Sequence, residues 1–278
     1  MKAIILGATG LLGNALLREW RADDILGFGV EDLDIRDAGQ VKKIVHETQP
    51  DWIVLAAAYT DVDGCESNPE LALSVNRDGA VHVAEAAKQV GARLLFLSTD
   101  YVFNGTKTAP YETGDARSPQ SVYGRSKAEA EVRLLETLPG CCIVRSAWLF
   151  GKGGKCFPDT ILKLAATRPT LDVVDDQRGC PTYSIDLARA IVELCHKDAA
   201  GIVHVTNAGS CSWFEFAREI VKESGLTTEV RPVSSQQMKR PARRPTYSVM
   251  SGASLDRLGI RMPRWQDALR RYLAERKN

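Results

Sequence analysis

Tyr123 and Lys127 stand four residues apart in the segment Ser121-Val-Tyr-Gly-Arg-Ser-Lys127. Positions i and i+4 of a helix share a face, so a phenol and an ammonium held there can work on one substrate atom. The ammonium is expected to lower the phenol from its ordinary pKa of about 10. A tyrosine tuned in this way gives or takes a proton near neutral pH. Near the start of the chain lies Gly7-Ala-Thr-Gly10-Leu11-Leu12-Gly13. Glycines at a strand-to-helix turn let the backbone approach a pyrophosphate, and the helix start offers free N–H groups and a partial positive charge. Thr99 precedes Tyr123 by 24 residues and could hydrogen-bond the same substrate oxygen. Each feature alone has a plain structural explanation: a tight packing turn, a turn-forming threonine, a surface Tyr/Lys pair. Their combined order points to transfer of a hydride and a proton between a nicotinamide cofactor and a carbonyl or alcohol.

These groups need elements to position them. Short apolar runs at Lys2–Leu6, Ile25–Phe28, Trp52–Ala58, Arg93–Leu97 and Cys142–Arg145 read as strands. Leu11–Trp20, Ala38–Thr48, Pro69–Val90 and Ser121–Leu138 read as the helices between them. Strands alternating with helices predict an α/β fold, a Rossmann-type doubly wound parallel sheet. After Gly151 the pattern loosens. Helices are expected at Phe157–Thr167, Ile185–His196, Trp213–Ser224 and from Pro263 to Leu273, with short strands near Leu171–Val174, Val203–Val205 and Glu229–Val233. Residues 1–150 are therefore expected to form the dinucleotide-binding domain. Residues 151–278 are expected to form mainly a smaller substrate-binding lobe, partly interleaved with the sheet.

The chain has 278 residues, 44% hydrophobic and 26% charged, with a net charge of +1. That balance gives no pull toward nucleic acid or a membrane surface. No apolar run approaches the ~20 residues of a membrane helix, and the N-terminal stretch reads as part of the fold rather than a signal peptide. Seven cysteines without C-x-x-C spacing fit reduced thiols, and so a cytoplasmic protein. His46, His82, His196 and His204 lie in no ligand motif, so no metal residues are assigned. The basic run Lys239-Arg-Pro-Ala-Arg-Arg244 reads as a solvated loop or as a cradle for an anionic substrate.

After the second strand, Glu31, Asp32 and Asp34 crowd together with Arg36 nearby. An acid there favours NADH and an arginine favours NADPH, so the preference stays open. Ala56-Ala57-Ala58-Tyr59-Thr60 ends the third strand with small residues over which a cofactor could pass. The three catalytic elements resemble the extended short-chain dehydrogenase/reductase superfamily. Further segments narrow the resemblance: Ser98-Thr-Asp-Tyr-Val-Phe103, Val122-Tyr-Gly-Arg-Ser-Lys127, Arg145-Ser-Ala-Trp148, Val174-Asp-Asp-Gln177 with Gly179, Pro181 and Thr182, and Arg244-Pro-Thr-Tyr-Ser248. Over nearly the whole chain these are similar to the dTDP-4-dehydrorhamnose reductase branch.

That resemblance implies NAD(P)H-dependent reduction of the C4 ketone of dTDP-4-dehydro-β-L-rhamnose, giving dTDP-β-L-rhamnose for cell-surface polysaccharide. By the same resemblance Tyr123 is the proton donor, Lys127 binds the nicotinamide ribose, and Thr99 bonds the reacting oxygen. Gly7, Gly10, Leu11, Leu12 and Gly13 cradle the pyrophosphate, with Asp34 and Ile35 by the adenine and Ala57, Ala58 and Tyr59 further along. Asp100 and Trp148 line the sugar-nucleotide site. A homodimer and Mg2+ are suggested by family analogy only.

The chain departs from the family at Gly154-Lys-Cys-Phe157, where relatives often carry two asparagines. Lys155 could attract a diphosphate there, and Lys155 and Cys156 together could alter substrate choice. A dehydratase would need a second acid after Asp100, where this chain has Tyr101, and epimerases are generally longer. A non-catalytic regulatory subunit, as in methionine adenosyltransferase β, is the rival from a different class.

Overall fold

The computed structural model describes residues 1–277. Five strands alternate with helices in the first half: β1 (Lys2–Leu6), β2 (Asp24–Phe28), β3 (Trp52–Leu55), β4 (Arg93–Thr99) and β5 (Cys142–Ser146). A later strand, Gly201–His204, pairs with β5 and completes a parallel sheet in the order Gly201–His204, β5, β4, β3, β1, β2. Alternate residues of each strand face opposite sides. Ala3 and Ile5 of β1 and Trp52 and Val54 of β3 join one core. Ile4 and Leu6, with Ile53 and Leu55, join the other. Both faces are thus buried, which is why these strands read as continuous apolar runs rather than alternating ones. Each fully buried Leu or Ile contributes about 1.5–3 kcal/mol.

The first core is closed by α1 (Leu11–Glu19) packed on the helix Ser184–His196. The second is closed by α2 (Ala38–Thr48) and the helices Gly79–Val90 and Val122–Thr137. Asp37 caps α2 by accepting from the N–H groups of Gly39 and Gln40 at 2.9 and 3.0 Å. Ser121 caps the Tyr123 helix by accepting from Gly124 N–H at 3.1 Å. Helix N-termini need such acceptors, since their first N–H groups have no partner within the helix.

The expected elements recur, with informative differences. The third strand ends at Leu55 instead of Ala58, because the N–H groups of Ala56 and Ala57 both turn onto the Leu6 carbonyl at 2.9 and 2.8 Å. A short helix, Val62–Ser67, stands where none is expected, capped by Asp61. The helix expected over Pro69–Val90 is interrupted by a π-helical turn at Ser74–Asp78. The last helix, Trp265–Lys277, begins two residues after Pro263. Pro263 is instead pinned by its carbonyl to Ala208 N–H at 2.8 Å.

In the second half, Thr170–Val174 and Glu229–Val233 form their own parallel pair. The seven cysteines are all free and buried. Among the described residues no helix is long and apolar enough to cross a membrane.

Candidate active site

The strand order reverses at β1, with β2 on one side and β3 on the other. At such a switch point the loops leaving the strand ends part and open a crevice. Here it is a cleft of about 1010 Å³ running along the carboxyl edge of the sheet. Of the residues expected at the site, Gly7, Gly10, Leu11, Leu12, Gly13, Asp34, Ile35, Ala57, Ala58, Thr99, Asp100, Tyr123 and Trp148 line it. Tyr59 and Lys127 do not.

At one end lies the glycine turn. Gly7 has φ +92°, and a Cβ there would fall 2.5 Å from the Ala57 nitrogen. A Cβ on Gly13 would fall 2.2 Å from the Gly7 carbonyl oxygen. Both contacts are with backbone, so only glycine fits. The start of α1 carries no side-chain cap at Gly10. Its first N–H groups are left to an anion, which the helix dipole favours. Gly153 and Gly154 press on this turn from above: a Cβ on them would meet Asn14 at 2.8 Å and Leu11 at 3.1 Å respectively. The donor set therefore suits a dinucleotide pyrophosphate.

Beyond β2 the acids separate by role. Asp32 accepts from Gly29 N–H at 2.8 Å and shapes the turn. Asp34 reaches the cleft and is paired to Arg36, with Nη2 at 2.5 Å from Oδ2. The guanidinium holds the Asp34 carboxyl below its ordinary value. His82, otherwise without a role, lies with Nδ1 3.1 Å from the Ile35 carbonyl.

Tyr123 sits half-buried at the start of its helix, edge-on to Tyr101 with ring centroids 5.9 Å apart. Thr99 caps the turn Asp100–Val102 and accepts from Tyr101 N–H at 3.2 Å. The expectation that Lys127 lowers the phenol is not met in this structure. Desolvation pushes the Tyr123 phenol above its ordinary value, the Thr99 hydroxyl works the other way, and Lys127 is not among the groups that move it. Lys127 is itself only 2% exposed, and its Nζ lies 4.0 Å from the centre of the Phe96 ring. Burial lowers its pKa to about 7, partly offset by Glu131. Lysine four residues after tyrosine is thus on the same side of the helix but beneath the cleft wall.

Asp100 is buried, and its pKa is pushed up to about 6, chiefly by desolvation. Ser248 donates to it at 2.5 Å and Thr99 at 3.1 Å, both favouring the ionised form. The Ser at the end of the Arg244–Ser248 segment is thereby explained. Arg244 pairs with Asp63, Nη2 to Oδ2 at 2.9 Å, so the basic run is tied to the short helix after β3. Trp148 holds φ +46°, an uncommon conformation for a bulky residue. Its indole stacks on Trp213 with centroids 3.5 Å apart and planes 7° apart. On its other side the backbone of Gly179 passes so close that a Cβ there would lie 2.5 Å from the ring.

Three positions were not anticipated. Trp213 lines the cleft beside Trp148, 65 residues further on, and no local pattern links the two. Asn76, buried in the π-helical turn, exchanges hydrogen bonds with the Tyr59 backbone at 2.8 and 3.0 Å and donates to Ser126 at 2.9 Å. Ser126 in turn donates to the Tyr123 carbonyl at 2.8 Å. This relay joins the end of β3 to the Tyr123 helix, and π-turns recur at functional sites. Tyr59 thus contributes its backbone to the framework rather than its ring to the cleft.

Lys155 lines the cleft, whereas Cys156 does not. The Cys156 thiol lies 3.4 Å from the Tyr272 hydroxyl in the core, so it is removed from substrate choice. Among the described residues no group of three or more His, Cys, Asp or Glu side chains is placed to hold a metal ion.

Comparison with known proteins agrees with this geometry. The family model described as RmlD substrate binding domain matches residues 1–278. The chain is 41% identical over 289 residues to a dTDP-4-dehydrorhamnose reductase of Mycobacterium tuberculosis (strain CDC 1551 / Oshkosh), covering 100% of this chain and 94% of that protein. It is 40% identical over 279 residues to the spore coat polysaccharide biosynthesis protein SpsK of Bacillus subtilis (strain 168), covering 100% and 98%. The crystal structure of dTDP-4-dehydrorhamnose reductase from Bacillus anthracis str. Ames in complex with NADP superposes with a TM-score of 0.96 at 40% identity, covering 99% of this chain and 100% of that one.

Proposed function

Because the chain belongs to the RmlD substrate binding domain family, we infer that it is an NAD(P)H-dependent sugar-nucleotide reductase that converts dTDP-4-dehydro-β-L-rhamnose to dTDP-β-L-rhamnose in dTDP-rhamnose biosynthesis. The observation that carries this reading is the one cleft that holds the glycine turn at one end and Thr99, Asp100, Tyr123 and Trp148 at the other. The nicotinamide cofactor, when bound, supplies the hydride for C4. The chain's own share is positioning and proton transfer. Tyr123 gives its proton to the C4 oxygen, and the Thr99 hydroxyl, which donates to Asp100 in this structure, turns its hydrogen to the same atom. Asp100 accepts from a sugar hydroxyl, and the stacked Trp148 and Trp213 offer their apolar edges to the sugar ring. Residues 1–150 carry the cofactor in this reading, and the part beyond Gly151 carries mainly the substrate.

NADPH is the preferred cofactor in our reading, since Arg36 stands beside Asp34 at the cleft with half its side chain exposed, and a guanidinium there suits a 2′-phosphate. A homodimer in the cytoplasm completes the reading by family analogy, and sedimentation of the purified chain tests the dimer. The direct test of the activity is loss of NADPH absorbance with the 4-keto sugar nucleotide. Cofactor binding without turnover at high enzyme concentration would favour the non-catalytic regulatory subunit instead.

Two variants probe the walls of the cleft. The Asp100 carboxyl ionises near pH 6, and its ionised form is the stronger acceptor for a sugar hydroxyl. KM for the sugar nucleotide is expected to rise as pH falls below about 6, and Asp100→Asn should abolish that dependence. A KM that is flat with pH in the wild type would refute it. Lys155 follows glycines that rest on Leu11 and Asn14, which puts it over the pyrophosphate turn rather than the sugar. Lys155→Ala should raise KM for NADPH by about two- to fivefold, the worth of an exposed charge contact. A rise confined to the sugar nucleotide would return the residue to the substrate's diphosphate.

A further inference from the structure

We propose that Glu131 is a positioning residue that keeps the ammonium of Lys127 charged, acting from a closed ion cluster beneath the active-site helix. Glu131 stands one helical turn beyond Lys127 and two beyond Tyr123. It is wholly buried, as is Arg145 of β5. Both carboxylate oxygens are fully engaged. Ser98 donates to Oε1 at 2.5 Å and Arg145 Nε at 2.9 Å. Arg145 Nη2 donates to Oε2 at 2.6 Å and Arg117 at 3.2 Å. These bonds clamp the carboxylate under β4 and β5, the strands that end at Thr99 and lead to Trp148.

A buried ion pair of this kind seldom adds net stability over an apolar pair of the same shape, so its presence calls for another reason. Lys127 supplies one. Its ammonium is buried, and among the described residues it has no ion pair within 4 Å. Many charged and titratable groups surround its helix: Tyr123 on the helix itself, Asp100 after β4, Arg145 on β5 and Arg117 in the loop before the helix. Cys65 and Glu66 approach from Val62–Ser67, Arg77 and Asp78 from the π-helical turn, and His204 from the strand Gly201–His204. Glu131, one turn further along the same helix, favours the charged form of Lys127 against desolvation. The field crosses one turn of helix in a low-dielectric interior, where it is screened little. His204, lowered to about 4 by burial and by Arg145, stays neutral and does not compete.

The inference rests on the reading that Lys127 binds the nicotinamide ribose. In Glu131→Gln the shape and two acceptor bonds remain, but the carboxylate charge is gone and two guanidinia are left uncompensated. Lys127 should then lose its proton at lower pH. Tyr123 titrates above its ordinary range, so the first alkaline loss of kcat/KM belongs to Lys127. That limb should move down by about one to two pH units, and the pH dependence of the NADPH Kd should move with it. Arg117→Gln, at the cluster's half-exposed edge, should move both in the opposite direction. A purely structural Glu131 would lower Tm and activity without moving either limb, and that result overturns the proposal. Should Glu131→Gln fail to fold, an unmoved limb in Arg117→Gln overturns it equally. If Lys127→Met were as active as wild type, the reading of Lys127 itself would fail. Inactive Lys127→Met with an unmoved limb in Glu131→Gln would sink only the inference.

Discussion

Tyr123→Phe is expected to lower kcat with NADPH and the 4-keto sugar nucleotide by about two to four powers of ten, the usual worth of one positioned general acid. The change removes one oxygen and keeps the ring. The edge-on contact with Tyr101 and the Ser126 bond to the Tyr123 backbone survive it, so the helix start should hold its place. NADPH should therefore bind with little change. Thr99 remains beside the reacting oxygen and accounts for residual turnover by hydrogen bonding without giving up a proton. Steady-state kinetics together with a cofactor-binding titration separate the two contributions. Near-normal kcat would remove Tyr123 from the chemistry. Loss of NADPH binding in step with kcat would make its role structural. The burial that raises the phenol also keeps it protonated across the neutral range, which is the form a reductase needs.

The sheet was legible because its strands are buried on both faces and so read as unbroken apolar runs. The glycine turn was legible for a related reason: backbone atoms at Ala57 and Gly7 leave no space for side chains, and only the residue type records that exclusion. Local sequence is silent where the deciding partner is remote. Trp148 stacks on Trp213, and Asp100 is held by Ser248, 148 residues away. The depth of Lys127 was hidden as well. Helical spacing says which side of the helix a residue takes but not whether that side meets a cleft or the Phe96 ring. Cys156 departs from the family pattern at a position that looks like substrate chemistry, yet its thiol packs on Tyr272. A departure in sequence identifies a site only after the fold has shown which way the side chain goes.

Lys127→Met should produce opposite effects on activity and stability. Turnover should fall about as far as in Tyr123→Phe if Lys127 is the cation that binds the nicotinamide ribose, the role the family resemblance implies. Stability at pH 7 and below should rise, since a buried charge with no direct partner is replaced by an apolar chain of similar length. The sign follows from proton linkage. Lys127 is lowered from 10.5 to about 7 on folding, so between those values the unfolded chain binds more protons than the folded one. Wild-type stability therefore gains from this group as pH rises through that window, and the full cost of burying the ammonium is carried below it. Each pKa unit corresponds to about 1.4 kcal/mol, which sets the gain in the variant on the order of a few kcal/mol at neutral pH and near zero above about pH 10. Denaturant melts of both proteins at several pH values measure the difference directly, so that other alkaline titrations cancel. A variant less stable than wild type at pH 7 would mean that the Lys127 ammonium is paired more tightly than its position over Phe96 allows. The cost borne at Lys127 would then have to be assigned elsewhere in the cluster around Glu131.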